Sequence, residues 1–331
     1  MRAAHVGHYG TPDVVTLVEV AEPTPGPRDV LISVRAGVVT QGDRRLRSGD
    51  FPGITWLVGR LMMGITGPRK TTPGTSFAGR VVAVGPEVTR FRPGDDVFGS
   101  SMHGAWAERL VIPEDGPLAP LPPGMGYEEA ASVPYGGVTA LTFLRDLGQL
   151  KAGERVLVVG ASGGVGRFAV QIAKHMGAEV TGVCSARTAP LAREAGADRV
   201  LDHQAGPYLG QEVYDVIFDT VDALTLGEAK ASLNETGRFL SLHITTRLIV
   251  DLVVSNLRQG PRAVFGVAVP TPALLLDLAA LMRSGAVRPF VDRVYPLDEV
   301  VEANRRLESG QALGTVAIRI QPADAPRLAA A

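Results

Sequence analysis

Residues 156–167 read VLVVGASGGVGR. A stiff apolar run ends abruptly in four glycines and one serine, and few folds accommodate that join. The run suits a central strand of a parallel sheet, covered on both faces. The glycines suit a tight turn into a helix. RVLVVG (155–160) supplies the strand, and GVGRFAVQIAKHMG supplies the helix, with Val165, Phe168, Ala169, Ile172 and Met176 on one face. Ala161, Gly163 and Gly166 have the A-x-G-x-x-G spacing. The first small residue permits the turn, Gly163 lets backbone approach a pyrophosphate, and Gly166 lets the helix pack on the strand. The first amides of the helix, with their partial positive charge, would hold that anion. The strand before and the helix after favour this nucleotide reading over a plain structural turn. No Lys-Ser/Thr pair follows the last glycine, so a Walker A loop is excluded.

The alternation continues downstream. EVTGVC (179–184), RVLD (199–202), YDVIFDTV (214–221) and RFLSLH (238–243) read as strands; TAPLAREAGA (188–197) and TLGEAKASLNETG (225–237) read as helices. Strand and helix in turn predict an α/β Rossmann domain, a doubly wound parallel sheet. The first 125 residues differ. LISVRAGVV (31–39) and RVVAVG (80–85) are β-branched, Pro and Gly punctuate them, and helical periodicity is scarce, which predicts a barrel or sandwich-like β domain. Residues 127–150 are helical in spacing, interrupted at Pro134. The tail alternates helix and strand: PTPALLLDLAALMRSGAV, RPFVDRVYPL, DEVVEANRRLESG and GTVAIRI. It is expected to return to the N-terminal domain, giving boundaries of 1–126, 127–268 and 269–331. The final ADAPRLAAA is expected to fray.

At 331 residues the chain is long enough for two cores. Its 33 basic and 34 acidic side chains leave no positive excess for a phosphate backbone, so no nucleic-acid partner is expected. Cys184 is the only cysteine, which rules out intramolecular disulfides and the Cys clusters of structural zinc sites. The N-terminus lacks the apolar core of a signal peptide. RLIVDLVVSNL (247–257) is interrupted by Asp251 and Asn256 and is too short to span a bilayer. A cytoplasmic protein without a membrane partner is the default expectation.

NAD readers usually place an acid at the end of the second strand, on the ribose 2′-OH. Here that place reads Cys184-Ser185-Ala186-Arg187-Thr188. Ser185 can donate a hydrogen bond and Arg187 can pair with a 2′-phosphate, which selects NADP(H) over NAD(H). An ordinary solvated arginine is the alternative.

AVGPEVTRFRPGDDVFG (83–99), GAWAERLVIP (104–113), AASVPYGGVTAL (130–141), the 156–187 stretch, AGADRVLD (195–202) and YDVIFDTV together resemble the medium-chain dehydrogenase/reductase superfamily, in its zinc-free quinone oxidoreductase branch. The resemblance covers nearly the whole chain. It implies a GroES-like N-terminal domain that receives the C-terminal tail, a cofactor in the cleft between domains, and a homodimer. It carries over cofactor contacts at Thr139, Ser162, Gly163, Gly164, Val165, Ser185, Arg187, His203, Val221, Leu242, His243, Phe265, Gly266 and Val267. Relatives often have a Tyr where His203 stands, and His243 could equally be an exposed strand-end residue.

Zinc-using relatives carry Cys and His-Glu ligands; Thr40 and Ser76 occupy slots where those ligands or carboxylates would be, and the six histidines show no ligand spacing. No metal is therefore expected. Without a Lewis acid the substrate must itself be electrophilic, a small hydrophobic quinone or α,β-unsaturated carbonyl compound. Thr40 and Asp43 match a family Asn-x-x-Asp pair near the substrate, and Asp43 could instead be a structural cap or a salt-bridge partner. Phe51 replaces a proton-donating Tyr of some enoyl reductases, leaving Tyr135 or water as proton source. Residues 51–70, with Trp56, Leu57, Leu61, Met62 and Met63, read as a lid, a packed helix or a dimer contact. An enoyl-thioester reductase, aided by Arg44, Arg45, Arg47, Arg60, Arg69 and Lys70, and a non-catalytic NADPH-binding sensor or scaffold are the competing functions.

Overall fold

The computed structural model describes residues 1–51, 55–210, 212–257 and 259–321, so the expected fraying of 323–331 lies outside the described residues. The N-terminal part contains β1 (Arg2–Val6), β2 (Val15–Glu19), β3 (Asp29–Val39), α1 (Gln41–Ser48), α2 (Thr55–Met63), β4 (Ser76–Val84), β5 (Asp96–Ser100), β6 (Arg109–Pro113), β7 (Leu118–Pro120) and α3 (Tyr127–Leu141). The middle contains β8 (Arg155–Val159), α4 (Gly166–His175), β9 (Glu179–Cys184), α5 (Ala189–Glu194), β10 (Arg199–Asp202), β11 (Tyr214–Asp219), α6 (Leu226–Ala229), β12 (Leu233–Ser241), α7 (Thr246–Asn256) and β13 (Arg262–Val264). The tail adds α8 (Pro272–Arg283), β14 (Val291–Pro296), α9 (Val300–Glu308) and β15 (Thr315–Arg319).

Two compact units result. One comprises Met1–Phe51, Trp56–Tyr135 and residues 270–321; the other comprises Thr55 and Gly136–Val269. In the first, β3 is the spine. Its eleven residues pair antiparallel with β4, β6 and the returning β15, whose Val316 lies opposite Val39. The tail thus completes the N-terminal sheet. Ile32, Val34, Phe77 and Trp106 are buried beneath it, and the Trp106 indole N–H donates to the Val38 carbonyl at 2.9 Å, so its one polar atom is satisfied.

In the second unit the sheet order is β10-β9-β8-β11-β12-β13, every pair parallel. The order reverses between β8 and β11. Consecutive connections leave in opposite directions there and open a crevice at the carboxyl ends of the strands.

The expected boundary at 126/127 falls instead inside α3, between Tyr135 and Gly136, and the second at Val269/Pro270. The reason is packing. A Cβ on Gly42 of α1 would come within 3.0 Å of the Tyr135 ring, whereas one on Gly136 would meet the Gly164 carbonyl at 2.4 Å. Successive residues of one helix therefore serve different cores. Pro134 sits inside α3 without ending it, and a π-helical turn, Thr142–Leu147, follows Leu141. The helix expected over 225–237 is corrected: α6 and a 3-10 turn (Lys230–Ser232) precede β12, which starts at Leu233. Leu233 is buried opposite Tyr214, so sheet pairing overrides local helix propensity. Two helices break the expected all-β N-terminal region, α1 and α2, the latter within the 51–70 segment.

Candidate cofactor and active site

Because the sheet is parallel, every strand delivers its following residues to one edge. Ser162–Val165 follow β8, Ser185 and Arg187 follow β9, His203 follows β10, Val221 follows β11, Leu242 and His243 follow β12, and Phe265–Val267 follow β13. The sheet thus gathers thirteen of the fourteen sequence-derived cofactor residues at one edge. Thr139 lies on α3, one turn beyond Gly136 and on the same face, the face that meets the glycine turn at Gly164.

The turn itself is built differently from the sequence expectation. The left-handed residue is Gly160 (φ 81°), one position before Ala161, and its N–H is tied to the Val183 carbonyl at 2.9 Å. A side chain on Gly160 would strike Thr220 and Val221 at 2.6 Å. A Cβ on Gly166 would lie 2.0 Å from the Gly160 carbonyl oxygen, so Gly166 is the close helix–strand contact. Gly164, by contrast, has nothing within 4 Å of a built Cβ. Open space in front of the N-terminus of α4 fits a pyrophosphate against backbone amides.

A hydroxyl chain ties this turn to the end of β9. Ser162 Oγ donates to Thr188 Oγ1 at 2.9 Å, and Ser185 Oγ is 3.0 Å from the same atom. Cys184 is buried beneath, and burial raises its thiol pKa. Arg187 is exposed, and among the described residues no carboxylate pairs with it. The His203 N–H donates to the Cys184 carbonyl at 3.2 Å, setting His203 beside the same strand end.

The residue that orders the far side of the edge was not singled out from sequence. Asp219, fully buried at the end of β11, accepts from the Val221, Ala223 and Leu224 amides at 3.0, 2.8 and 2.8 Å. Burial raises its pKa, and the three amides oppose that. Its signal was the acid closing the apolar run YDVIFD. The Leu242 N–H reaches the Asp219 carbonyl at 3.3 Å, and the His243 N–H reaches Ser241 Oγ at 3.3 Å. Phe265 packs on the sheet core, a Cβ on Gly266 would meet Leu147 at 2.6 Å, and Val267 is exposed.

In the N-terminal unit, Thr40, Asp43 and Tyr135 come together at the start of α1. Thr40 caps the helix: its Oγ1 accepts from the Asp43 N–H at 3.1 Å, while Asp43 Oδ2 accepts from the Thr40 N–H at 2.9 Å and its hydroxyl at 2.6 Å. Asp43 is therefore the N3 partner of the Thr40 cap, the structural role that its sequence position allowed. It is also buried, and burial pushes its carboxyl up to about 6 against the pull of Thr40 and Thr75. Burial, reinforced by the Asp43 charge, likewise raises the Tyr135 phenol, which keeps its proton at neutral pH. Ser76 is buried. Among the described residues no three or more His, Cys, Asp or Glu side chains are grouped to hold a metal ion.

Beside this cluster the same unit has a cavity of about 330 Å³, open to solvent on one side. Leu46, Met62, Met63 and Met102 form apolar wall, and Asp43, Arg69, Lys70 and His103 also line it. Among the described residues no helix is long and apolar enough to cross a membrane.

A β unit closed by the chain's own tail, joined to a doubly wound sheet with a glycine turn at its switch point, defines a nucleotide-dependent oxidoreductase. Comparison with known proteins agrees. Residues 26–123 match the alcohol dehydrogenase GroES-like domain, and 195–318 match a model described as zinc-binding dehydrogenase. The chain is 31% identical over 327 residues to NAD(P)H oxidoreductase RTN4IP1, mitochondrial, of Danio rerio, covering 89% of this chain and 84% of the relative. It is 32% identical over 321 residues to trans-enoyl reductase pgmF of Aspergillus terreus, with 89% and 87% covered. The Escherichia coli quinone oxidoreductase complexed with NADPH superposes with a TM-score of 0.82 at 25% identity, covering 97% of this chain and all of the other. The chain belongs to the medium-chain dehydrogenase/reductase superfamily, in its quinone oxidoreductase-like branch. It is an NAD(P)H-dependent oxidoreductase of the quinone-reductase or enoyl-reductase type.

Proposed function

We propose that this chain is an NADPH-dependent, metal-independent reductase that delivers hydride to small quinones or α,β-unsaturated carbonyl compounds, working as a homodimer. One observation carries the cofactor choice: the end of β9 offers Ser185 and an exposed, carboxylate-free Arg187 where an NAD reader needs an acid. A 2′-phosphate dianion fits that place, and an acid would repel it. The Ser162, Gly164 and Val165 amides hold the pyrophosphate, while the Gly163 amide closes the turn on the Gly160 carbonyl, and the Ser162–Thr188–Ser185 hydroxyls fix the spacing between the two phosphate subsites. The bound nicotinamide supplies the hydride.

Thr40 and Ser76 offer hydroxyls where zinc-using relatives place ligands, which supports a site that works by positioning rather than by Lewis acidity. Reduction of an enone or quinone also needs a proton. Tyr135, with its retained phenolic proton, is the group that holds one at neutral pH; Asp43, which burial raises to about 6, holds one below that pH. The likeness to a protein named trans-enoyl reductase supports enoyl thioesters as a second acceptor class.

Fluorescence titration tests the cofactor. NADPH binds at least tenfold more tightly than NADH, and Arg187→Ala removes the difference, since a hydrogen bond to a charged group contributes about 1.5–3 kcal/mol. Equal affinities in the wild type overturn the 2′-phosphate assignment. NADPH oxidation is then followed with quinones, enones and enoyl thioesters in the presence of a strong chelator. Turnover that the chelator abolishes overturns metal independence, and no turnover with any acceptor leaves a cofactor-binding protein without catalysis.

A further inference from the structure

The cavity of the N-terminal unit combines two features that the hydride chemistry alone does not require. Its wall is rich in methionine: Met63 is half-buried, and Met62 and Met102 are exposed at 65% and 67%. Thioether side chains adapt to irregular apolar shapes. At about 330 Å³ the space lies at the small end of the range for ligand pockets.

The second feature is uncompensated positive charge. Three cationic side chains reach the cavity. Arg47 is committed to Glu308 and to the Gly10 carbonyl. Arg69 and Lys70 have no carboxylate partner among the described residues. Arg69 is anchored, because the chain folds back on the end of α2: the Arg69 amide donates to the Met63 carbonyl at 2.7 Å, and its guanidinium to the Leu61 carbonyl at 3.0 Å. Lys70 follows directly. Burial, and after it the Lys70 charge, lowers the His103 pKa, so it offers a neutral imidazole beside the cation. The acid in the wall, Asp43, has its Oδ2 held by the Thr40 amide and hydroxyl.

We propose that this cavity binds an apolar molecule ending in an anionic group, its body among Leu46 and the methionines and its anion at Lys70 and Arg69. Asp43 ties the cavity to the Thr40–Asp43–Tyr135 cluster. Resting on the reductase reading, the anion-tailed molecule is then the hydride acceptor, and Lys70 sets the selectivity. Carboxylates, sulfonates and phosphate esters share the required chemistry.

Calorimetric titration without cofactor tests the site, using octanoate, octyl phosphate and 1-octanol as probes. Octanoate binds at least tenfold more tightly than 1-octanol, and rising salt narrows the gap because the cations are exposed. Lys70→Met brings octanoate down to the affinity of the alcohol and leaves the alcohol unchanged. Met63→Trp, which fills the cavity, weakens both. Equal binding of acid and alcohol by the wild type, or binding untouched by both substitutions, overturns the proposal. Tighter octyl phosphate identifies a phosphate ester as the natural headgroup, and tighter octanoate a carboxylate; both results support the site. Octanoate binding in a protein that reduces no acceptor overturns the reductase reading alone. NADPH oxidation in a protein indifferent to probe charge overturns the cavity proposal alone.

Discussion

Asp43 shows how one residue can hold a structural and a chemical role together. Its carboxylate closes the α1 cap with Thr40, and those hydrogen bonds favour the ionised form, yet burial outweighs them and raises its pKa to about 6. An unfolded aspartate titrates near 3.9. Between about pH 4 and pH 6 the native state therefore binds the extra proton, and stability falls as pH rises through that window. The contribution present below pH 4 is lost above pH 6, an effect on the order of 3 kcal/mol. Asp43→Asn keeps the size and one acceptor oxygen but cannot ionise. Urea unfolding of both proteins at pH 4.5 and 7 is expected to show the variant gaining on the wild type as pH rises. A constant difference between them rules out a buried, near-neutral Asp43. NADPH oxidation by the wild type is expected to break near pH 6, and the Asp43→Asn variant to lack that break.

At the scale of elements, the glycine turn separates two uses of the same residue. Gly166 is required by packing: a methyl there would sit 2.0 Å from the Gly160 carbonyl oxygen. Gly164 faces open space and carries no left-handed φ. Gly166→Ala is thus expected to destabilise by about 1–3 kcal/mol, with strand and helix forced apart. Gly164→Ala is expected to leave the melting temperature unchanged and to weaken NADPH, because its Cβ occupies the space proposed for the pyrophosphate. Paired thermal melts and titrations check both. Equal melting temperatures for the two variants count against the packing account. Strand, turn and helix were legible here because their signals are local: an apolar run, a glycine spacing and a 3.6-residue face. α1 carries local signals too, Thr40 and Asp43 at capping-box spacing and Gly49 (φ 66°) at its end, although the same Thr40 and Asp43 also match a family pair near the substrate. β12 was not legible in full. Leu233 joins the sheet because β11 offers Tyr214 opposite it, a partner nineteen residues away. Asp219 and the burial of Asp43 escaped for the same reason, since both depend on tertiary packing.

The whole molecule raises the question of what covers its remaining apolar surface. On α7, Val250, Val253 and Leu257 are spaced as one helical stripe, and all are more than half exposed. The neighbouring β13 is an edge of the parallel sheet, and Val267 and Val269 just beyond it are exposed as well. An open sheet edge flanked by an apolar stripe invites a second copy, since edge strands left unpaired associate readily. A two-fold axis through this edge would bury each patch against its twin, as isologous contacts require. The proposed homodimer accordingly sediments at about twice the chain mass of 34.8 kDa. Val253→Asp with Leu257→Lys places charges in the stripe without touching the glycine turn, so the variant is expected to run as a monomer that still binds NADPH. A wild type that sediments as a monomer at micromolar concentration removes the dimer. A double variant that stays dimeric moves the interface to another surface.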